Sequence, residues 1–253
     1  MIRLPIEVSN LPPQPTMPSR VIASVSGIQH WWTPHEQEAR TDNAGIAYIR
    51  PVVGAAKLMS AGSLPVTYSD MVANGRTRRP FSNDQSQQRY FSAAVDCGAG
   101  DWTTIVAGFR AAAGISSMHL LGLRFSTGTL IIRPITSNNG ATGGGIGWYD
   151  LSTETTILSG PRPSSDVPHF LTLAWNRVTG QVKYATDDAA PTASGTTAAV
   201  TGETTATLTL GAVPGRGAFP GHVLNAGIID GDAFTDPLVR QRIAQYRNAL
   251  YGF

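Results

Sequence analysis

Between Tyr90 and Asp230 the chain reads as nine short apolar segments, each cut off by turn residues before a helix could propagate. These are YFSAAVDC, TTIVAGFR, MHLLGLRF, TLIIRPI, GIGWYDL, HFLTLAWN, QVKYAT, ATLTLGAV and HVLNAGIID, separated by Gly, Pro, Asn or Asp. The clearest is the pair within Pro168–Asp188. Leu171, Leu173 and Trp175 alternate with Thr172 and Ala174, the two-residue period of a strand with one buried face. Asn176–Gly180 then forms a turn, and Val182 and Tyr184 resume the alternation. Many short strands with this punctuation predict an all-β, antiparallel β-sandwich or jelly roll. No helical period interrupts them, which argues against a βαβ layout.

Composition agrees. Of 253 residues only 14% are charged, while Gly (27) and Pro (17) are plentiful, which suits strands and tight turns. A net charge of +2 is too small to point to nucleic acid or an acidic membrane. The single cysteine, Cys97, rules out an internal disulfide framework and reads as a small buried thiol. The start, Met1–Pro5, lacks the apolar core of a signal peptide, and no apolar run approaches the roughly 18 residues of a membrane helix.

Two segments flank the strand-rich region differently. Residues 1–20 contain five prolines and read as an extended arm, with residues 21–253 as one sandwich domain. Ile2, Leu4, Ile6, Val8 and Leu11 give the arm an apolar side suited to docking on a neighbouring surface. Val21–Trp32 reads as a strand leading to a turn at Thr33–Pro34, and Pro51 confines IAYIRPVV to an edge or a strand end. Asn74–Tyr90 reads as a polar loop. At the other end Asp236 or Thr235 can cap a short helix, Pro237 fits its first turn, and Gly252 follows its last. Val239, Ile243, Tyr246 and Leu250 form its apolar stripe, leaving Arg240, Arg242 and Arg247 for solvent.

The order of elements from residue 166 to 252 resembles the C-terminal half of laminin-G-like domains, within the concanavalin A-like lectin and glucanase superfamily. The residues that carry the resemblance are His169–Trp175, the turn at Gly180, Asp187–Asp188, Leu208–Gly211, and Phe219, Gly221 and Val223 before the last strand and helix. The resemblance implies a lectin-like fold. The paired carboxylates of its glucanase branch, spaced on one strand face, have no counterpart here.

Several groups merit attention as sites. Trp148, Tyr149 and Asp150 combine aromatic rings with a carboxylate, as sugar binding requires, and Trp31 and Trp32 are further aromatic candidates. Arg76, Arg78 and Arg79 form a basic cluster suited to docking a partner. No cofactor and no metal site is expected, with calcium the alternative left open; the aspartates read as turn residues, and DGD at 230–232 falls short of a calcium loop. No nucleophile elbow introduces Ser-His-Asp chemistry. The reading is a non-enzymatic virion protein of a bacteriophage: a tail, fibre or capsid-surface component, made in the host cytoplasm. It would be homo-oligomeric, with other virion proteins and a cell-surface glycan as partners. A free carbohydrate-binding module and a polysaccharide-cleaving enzyme are the alternatives.

Overall fold

The computed structural model describes residues 18–34, 39–42, 45–62, 66–83, 89–112, 119–133, 145–149, 154–159, 164–187, 189–191, 193–215 and 217–252. In chain order it begins with α1 (Pro18–Ala23), β1 (Ile28–Trp32), β2 (Ala39–Asp42), β3 (Gly45–Ile49), β4 (Pro51–Val53) and β5 (Leu58–Gly62). The short strands β6 (Thr67–Tyr68), β7 (Met71–Ala73), β8 (Arg76–Arg78) and β9 (Phe81–Asn83) follow. Then come β10 (Arg89–Asp96), β11 (Trp102–Ala111), β12 (Leu121–Arg124), β13 (Thr129–Arg133), β14 (Gly145–Tyr149) and β15 (Glu154–Ser159). The chain closes with β16 (Pro168–Asn176), β17 (Gln181–Thr186), β18 (Ala193–Thr196), β19 (Thr205–Leu210), β20 (Gly221–Asp230) and α2 (Pro237–Tyr251).

Among the described residues these strands build two nine-stranded antiparallel sheets. The first runs β18-β17-β16-β11-β20-β1-β4, with β9 also paired to β20 and β6 to β9. The second runs β15-β14-β13-β12-β19-β10-β5-β3-β2, and β7 and β8 form a separate hairpin. The sheets face each other across a core that includes Ile105, Phe109, Leu171, Leu173 and Trp175 from the first and Phe91, Leu123, Leu130, Leu208 and Leu210 from the second. Strands of the second sheet alternate, as in β19 and β10, which is the signature of one wet face.

The first sheet differs. Its central strands β11, β16 and β20 are buried along nearly their whole length, because α1 and α2 cover the outer face. A second apolar cluster forms there from Val21, Ile22, Trp31, Val106, Phe170, Leu224, Ile243, Tyr246 and Tyr251. The architecture is therefore a sandwich with a third, helical layer on one side.

The C-terminal helix follows its sequence signals. Asp236 accepts hydrogen bonds from the amides of Leu238 (2.9 Å) and Val239 (3.3 Å), Pro237 opens the first turn, and Gly252 closes the last at φ 82°. Val239, Ile243 and Tyr246 are buried as the stripe predicts. Arg247 is buried as well rather than solvated, with its guanidinium 3.7 Å from the Asp187 carboxylate.

Three other expectations change. Pro18, Ser19 and Arg20, read as part of the arm, open α1 instead, with Val21 and Ile22 buried against the outer layer; residues 1–17 lie outside the described residues. IAYIRPVV is divided between the sheets: β3 joins the second, whereas Pro51 starts β4 at the edge of the first, where its missing N–H costs no ladder bond. The stretch from Asn74 is not only loop. Asn74 (φ 50°) and Gly75 (φ 65°) make the tight turn of the β7–β8 hairpin, and Phe81 in β9 is fully buried.

Candidate functional site

The strand register gathers one set of loops at one end of the sandwich. Asp96 at the end of β10 pairs with Thr205, Trp102 at the start of β11 pairs with Asn176, and Thr103 pairs with Asp230. On the second sheet Arg124 pairs with both Thr207 and Thr129, and Thr129 pairs with Tyr149. The loops after β10, β12, β14, β16 and β20 and before β19 thus share this end.

The centre of that end is Arg177, in the turn of the β16–β17 hairpin. Asn176 shapes the turn by accepting hydrogen bonds at Oδ1 from the amides of Val178 (3.0 Å) and Thr179 (2.8 Å). Gly180 sits at φ 76°, where a Cβ would lie 2.0 Å from the Thr197 carbonyl oxygen, so the turn demands glycine. The Arg177 side chain is buried and donates to three backbone carbonyls: Gly98 (2.6 Å), Gly100 (2.5 Å) and Glu203 (2.6 Å). One planar, permanently charged group thereby ties loops from both sheets together.

Carboxylates complete the frame. Asp96 accepts from the Gly98 amide (2.9 Å), and Asp230 accepts from the Gly100 amide (3.0 Å). Glu203 accepts from the Ser126 hydroxyl (2.6 Å) and amide (2.8 Å), and these bonds hold its carboxyl below the usual range. The aspartates therefore act as turn residues bonded to backbone. Among the described residues no three metal-ligating side chains converge.

Trp102 lies beside this frame on the helix-covered sheet and is half-buried, whereas Trp31, Trp32 and Trp175 are fully buried. Lys183 stands 4.5 Å from its ring centroid and ion-pairs with Asp232. The ring is partly exposed and the ammonium beside it keeps some exposure, whereas Asp232 is buried and spent on Lys183 and the Phe234 amide, so the pair offers apolar contact and one donor. Sequence reasoning did not single out Trp102. The signal was present in Gly100-Asp101-Trp102, which sets an aromatic beside an aspartate at a strand start, as Trp148–Asp150 does at a strand end.

Of the expected site residues, Trp148 and Tyr149 belong to β14, an interior strand of the second sheet. Trp148 pairs with Leu130 on one side and Thr155 on the other. Asp150 lies outside the described residues. Trp31 and Trp32 are not available to a ligand, since both are fully buried. Of the basic cluster, Arg78 is tied into the fold. Arg78 donates to the Leu250 carbonyl (2.9 Å), Arg79 pairs with Asp70 (3.1 Å), and Arg76 is exposed. Ile2, Leu4, Ile6, Val8 and Leu11 lie outside the described residues.

No protein-family model matches the chain, and no curated protein matches it. Solved structures do. Domain 4 of AbnA, an extracellular arabinanase from Geobacillus stearothermophilus solved with arabinotriose, aligns with TM-score 0.59 and 12% identity, over 88% of this chain and 98% of that one. The enzymatically active domain of tailspike protein 2 from bacteriophage CBA120 aligns with TM-score 0.53 and 14% identity, over 76% of this chain and 31% of that one. A receptor binding domain aligns with TM-score 0.54 and 10% identity, over 90% of this chain and 52% of that one. The chain thus matches the whole of the arabinanase domain but only about a third of the tailspike domain. At identities this low the structural overlap shows the fold alone, a β-sandwich shared with these tailspike, receptor-binding and arabinanase domains.

Proposed function

We propose that this protein is a bacteriophage virion component whose lectin-like sandwich recognises a glycan on the host surface. The observation that carries the reading is one fold shared with a phage tailspike domain and with an arabinanase domain solved with arabinotriose. The arrangement of the loop end supports it. Beside a frame fixed by Arg177 lie the half-buried Trp102 and Lys183, the lysine anchored from below by the buried Asp232, and β14 brings Tyr149 to the same end. Loops on a rigid scaffold can vary without disturbing the core, which is where recognition concentrates. Residues 1–17 and the exposed Arg76 serve contacts with other virion proteins or a second copy. The protein binds the glycan and leaves its glycosidic bonds intact.

The test is saturable binding of the purified protein to host-surface polysaccharide, together with detection of the chain in purified particles by mass spectrometry. Binding that host polysaccharide competes away supports recognition. Absence from particles, or no affinity for host cells, overturns it. Cleavage is the second reading, favoured by the same fold in an arabinofuranosidase solved with arabinofuranosyl-xylobiose, at TM-score 0.54 and 12% identity. Release of oligosaccharides from the bound polysaccharide would establish it.

A further inference from the structure

The opposite end of the β16–β17 hairpin holds a group that glycan recognition does not use. His169 is the second residue of β16, and Asp187 follows the last residue of β17. The register Leu171↔Thr186 carries both to the same open end, although they are 18 positions apart in sequence. His169 Nδ1 lies 2.9 Å from Asp187 Oδ2, and His169 Nε2 lies 3.0 Å from the hydroxyl of Ser164. Ser164 is exposed, and the His169 side chain is 11% exposed beside the ring of Phe109.

We propose that Ser164 is a nucleophile activated by His169 and oriented through Asp187, and that this end of the sandwich hydrolyses exposed carboxylic esters of O-acyl type. The order Oγ–Nε2, Nδ1–carboxylate is that of a hydrolytic triad, recognised by geometry and roles rather than by a sequence elbow. Each member is held by bonds that leave its working atom aimed. Asp187, at φ 57°, accepts the Phe170 amide at Oδ1 (2.9 Å), and Arg247 faces the same oxygen at 3.7 Å, so Oδ2 is left for the imidazole. The turn carrying Ser164 is fixed where the Asp166 amide donates to Ala111 (2.8 Å) and Arg110 donates to the Asp166 carbonyl (2.9 Å).

Acting as a base requires the tautomer with its proton on Nδ1 against Asp187 and the Nε2 lone pair turned to the serine hydroxyl rather than to the Ser164 carbonyl, which can accept only once Nε2 is protonated. As Oγ bonds to the ester carbonyl carbon, its proton passes to Nε2 and the carbonyl electron pair moves to oxygen. The imidazolium so formed has a second acceptor in the Ser164 carbonyl, 3.1 Å from Nε2. Collapse breaks the bond to the alcohol oxygen, which takes the proton from Nε2. Water then repeats the sequence on the acyl-serine, so that ester and water give acid and alcohol.

A clasp that only ties the 164–167 turn to β16 would use the same hydrogen bonds, and reactivity separates the two. The full chain is treated with a fluorophosphonate probe and the adduct mapped by mass spectrometry; p-nitrophenyl acetate hydrolysis is followed in parallel. The expected result is a single adduct on Ser164 and hydrolysis that falls at least about a hundredfold in Ser164→Ala and in Asp187→Asn, at the low end of what a general base contributes. Melting curves confirm that the variants are folded. Folded wild-type protein with no adduct on Ser164 overturns the proposal, as does hydrolysis that persists unchanged in Ser164→Ala. The assay needs no glycan and no particle, so its failure leaves the recognition reading standing.

Discussion

Trp31 and Trp32 share a peptide bond yet lie in different cores. Trp32 points between the two sheets, where its indole N–H donates to the Ala56 carbonyl (2.7 Å). Trp31 points the other way, beneath α2, with its ring edge-on to Tyr246 at 5.0 Å and covering Gly227, where a Cβ would fall 2.2 Å from the ring. Alternation along a strand sends neighbours to opposite faces, and here both faces are dry.

Trp31→Ala and Trp32→Ala should therefore each cost about 3–5 kcal/mol of folding stability, the usual range for a large buried aromatic. Gly227→Ala should destabilise through the outer layer alone, by forcing the Trp31 ring off β20. Denaturant titration measures all three. A near-wild-type midpoint for Trp31→Ala would mean that the helical layer adds little to the fold.

Stability should fall on mild acidification. Burial lowers the pKa of His30 and of His222 from 6.5, against the opposing pull of Asp96 and of Asp166 respectively. His30 Nε2 accepts from the Asp96 amide (3.2 Å), a bond that an imidazolium cannot accept. Both groups are depressed in the folded state, so the unfolded chain binds more protons in this window. The contribution is complete above about pH 6.5 and is lost as pH falls from there through the folded-state values. His30→Gln should flatten the dependence of the melting temperature between about pH 5 and 7. An unchanged slope in that variant and in His222→Gln would exclude both residues as its source.

Cys97 should be chemically silent in the native state. It is fully buried, and burial pushes its thiol up to about 12, so almost no thiolate exists at neutral pH. An alkylating reagent should label it only at the rate of global opening, in step with denaturant. Rapid labelling of folded protein would show that the Asp96–Trp102 loop opens locally.

What was legible in the sequence follows from how local its cause is. The β16–β17 hairpin and the caps of α2 were readable because alternation, Gly180, Asp236 and Gly252 act within a few residues. Trp31 and Trp32 were misread because next to Thr33–Pro34 they look like loop aromatics, and the second dry face depends on α2, some 200 residues later. Arg177 reads as a polar turn residue; its acceptors Gly98 and Gly100 are 79 and 77 positions away. His169 and Asp187 could have been brought together by counting outward from the hairpin turn, since register alone places them at one end. Ser164 could not, because its position depends on Asp166 bonding to Ala111 across the sheet.

Arg177→Met should be costly although the change keeps an apolar stem of similar reach. It leaves the carbonyls of Gly98, Gly100 and Glu203 without their donor in a buried setting, worth about 2–3 kcal/mol. Hydrogen exchange should also quicken in residues 97–101 and 200–204 while the β11–β16 ladder stays protected. Uniform acceleration across the sandwich would mean that Arg177 stabilises the whole fold and not these loops.

The recognition surface is tested by two tryptophans, Trp102 at the start of β11 and Trp148 in β14. Trp102 is half-buried beside Lys183 and Asp232, so Trp102→Ala should reduce glycan binding by roughly 1–3 kcal/mol with a small effect on melting. Trp148 sits one residue before the end of β14, whose last residue, Tyr149, reaches the same loop end through Thr129. If it serves as an aromatic anchor, Trp148→Ala loses binding on the same scale. If it serves the core, the loss is about 3–5 kcal/mol of stability with binding per folded molecule intact. Melting and binding measured on the same two variants decide each case. Should both retain full affinity while folded, the loop end framed by Arg177 is not where the ligand docks.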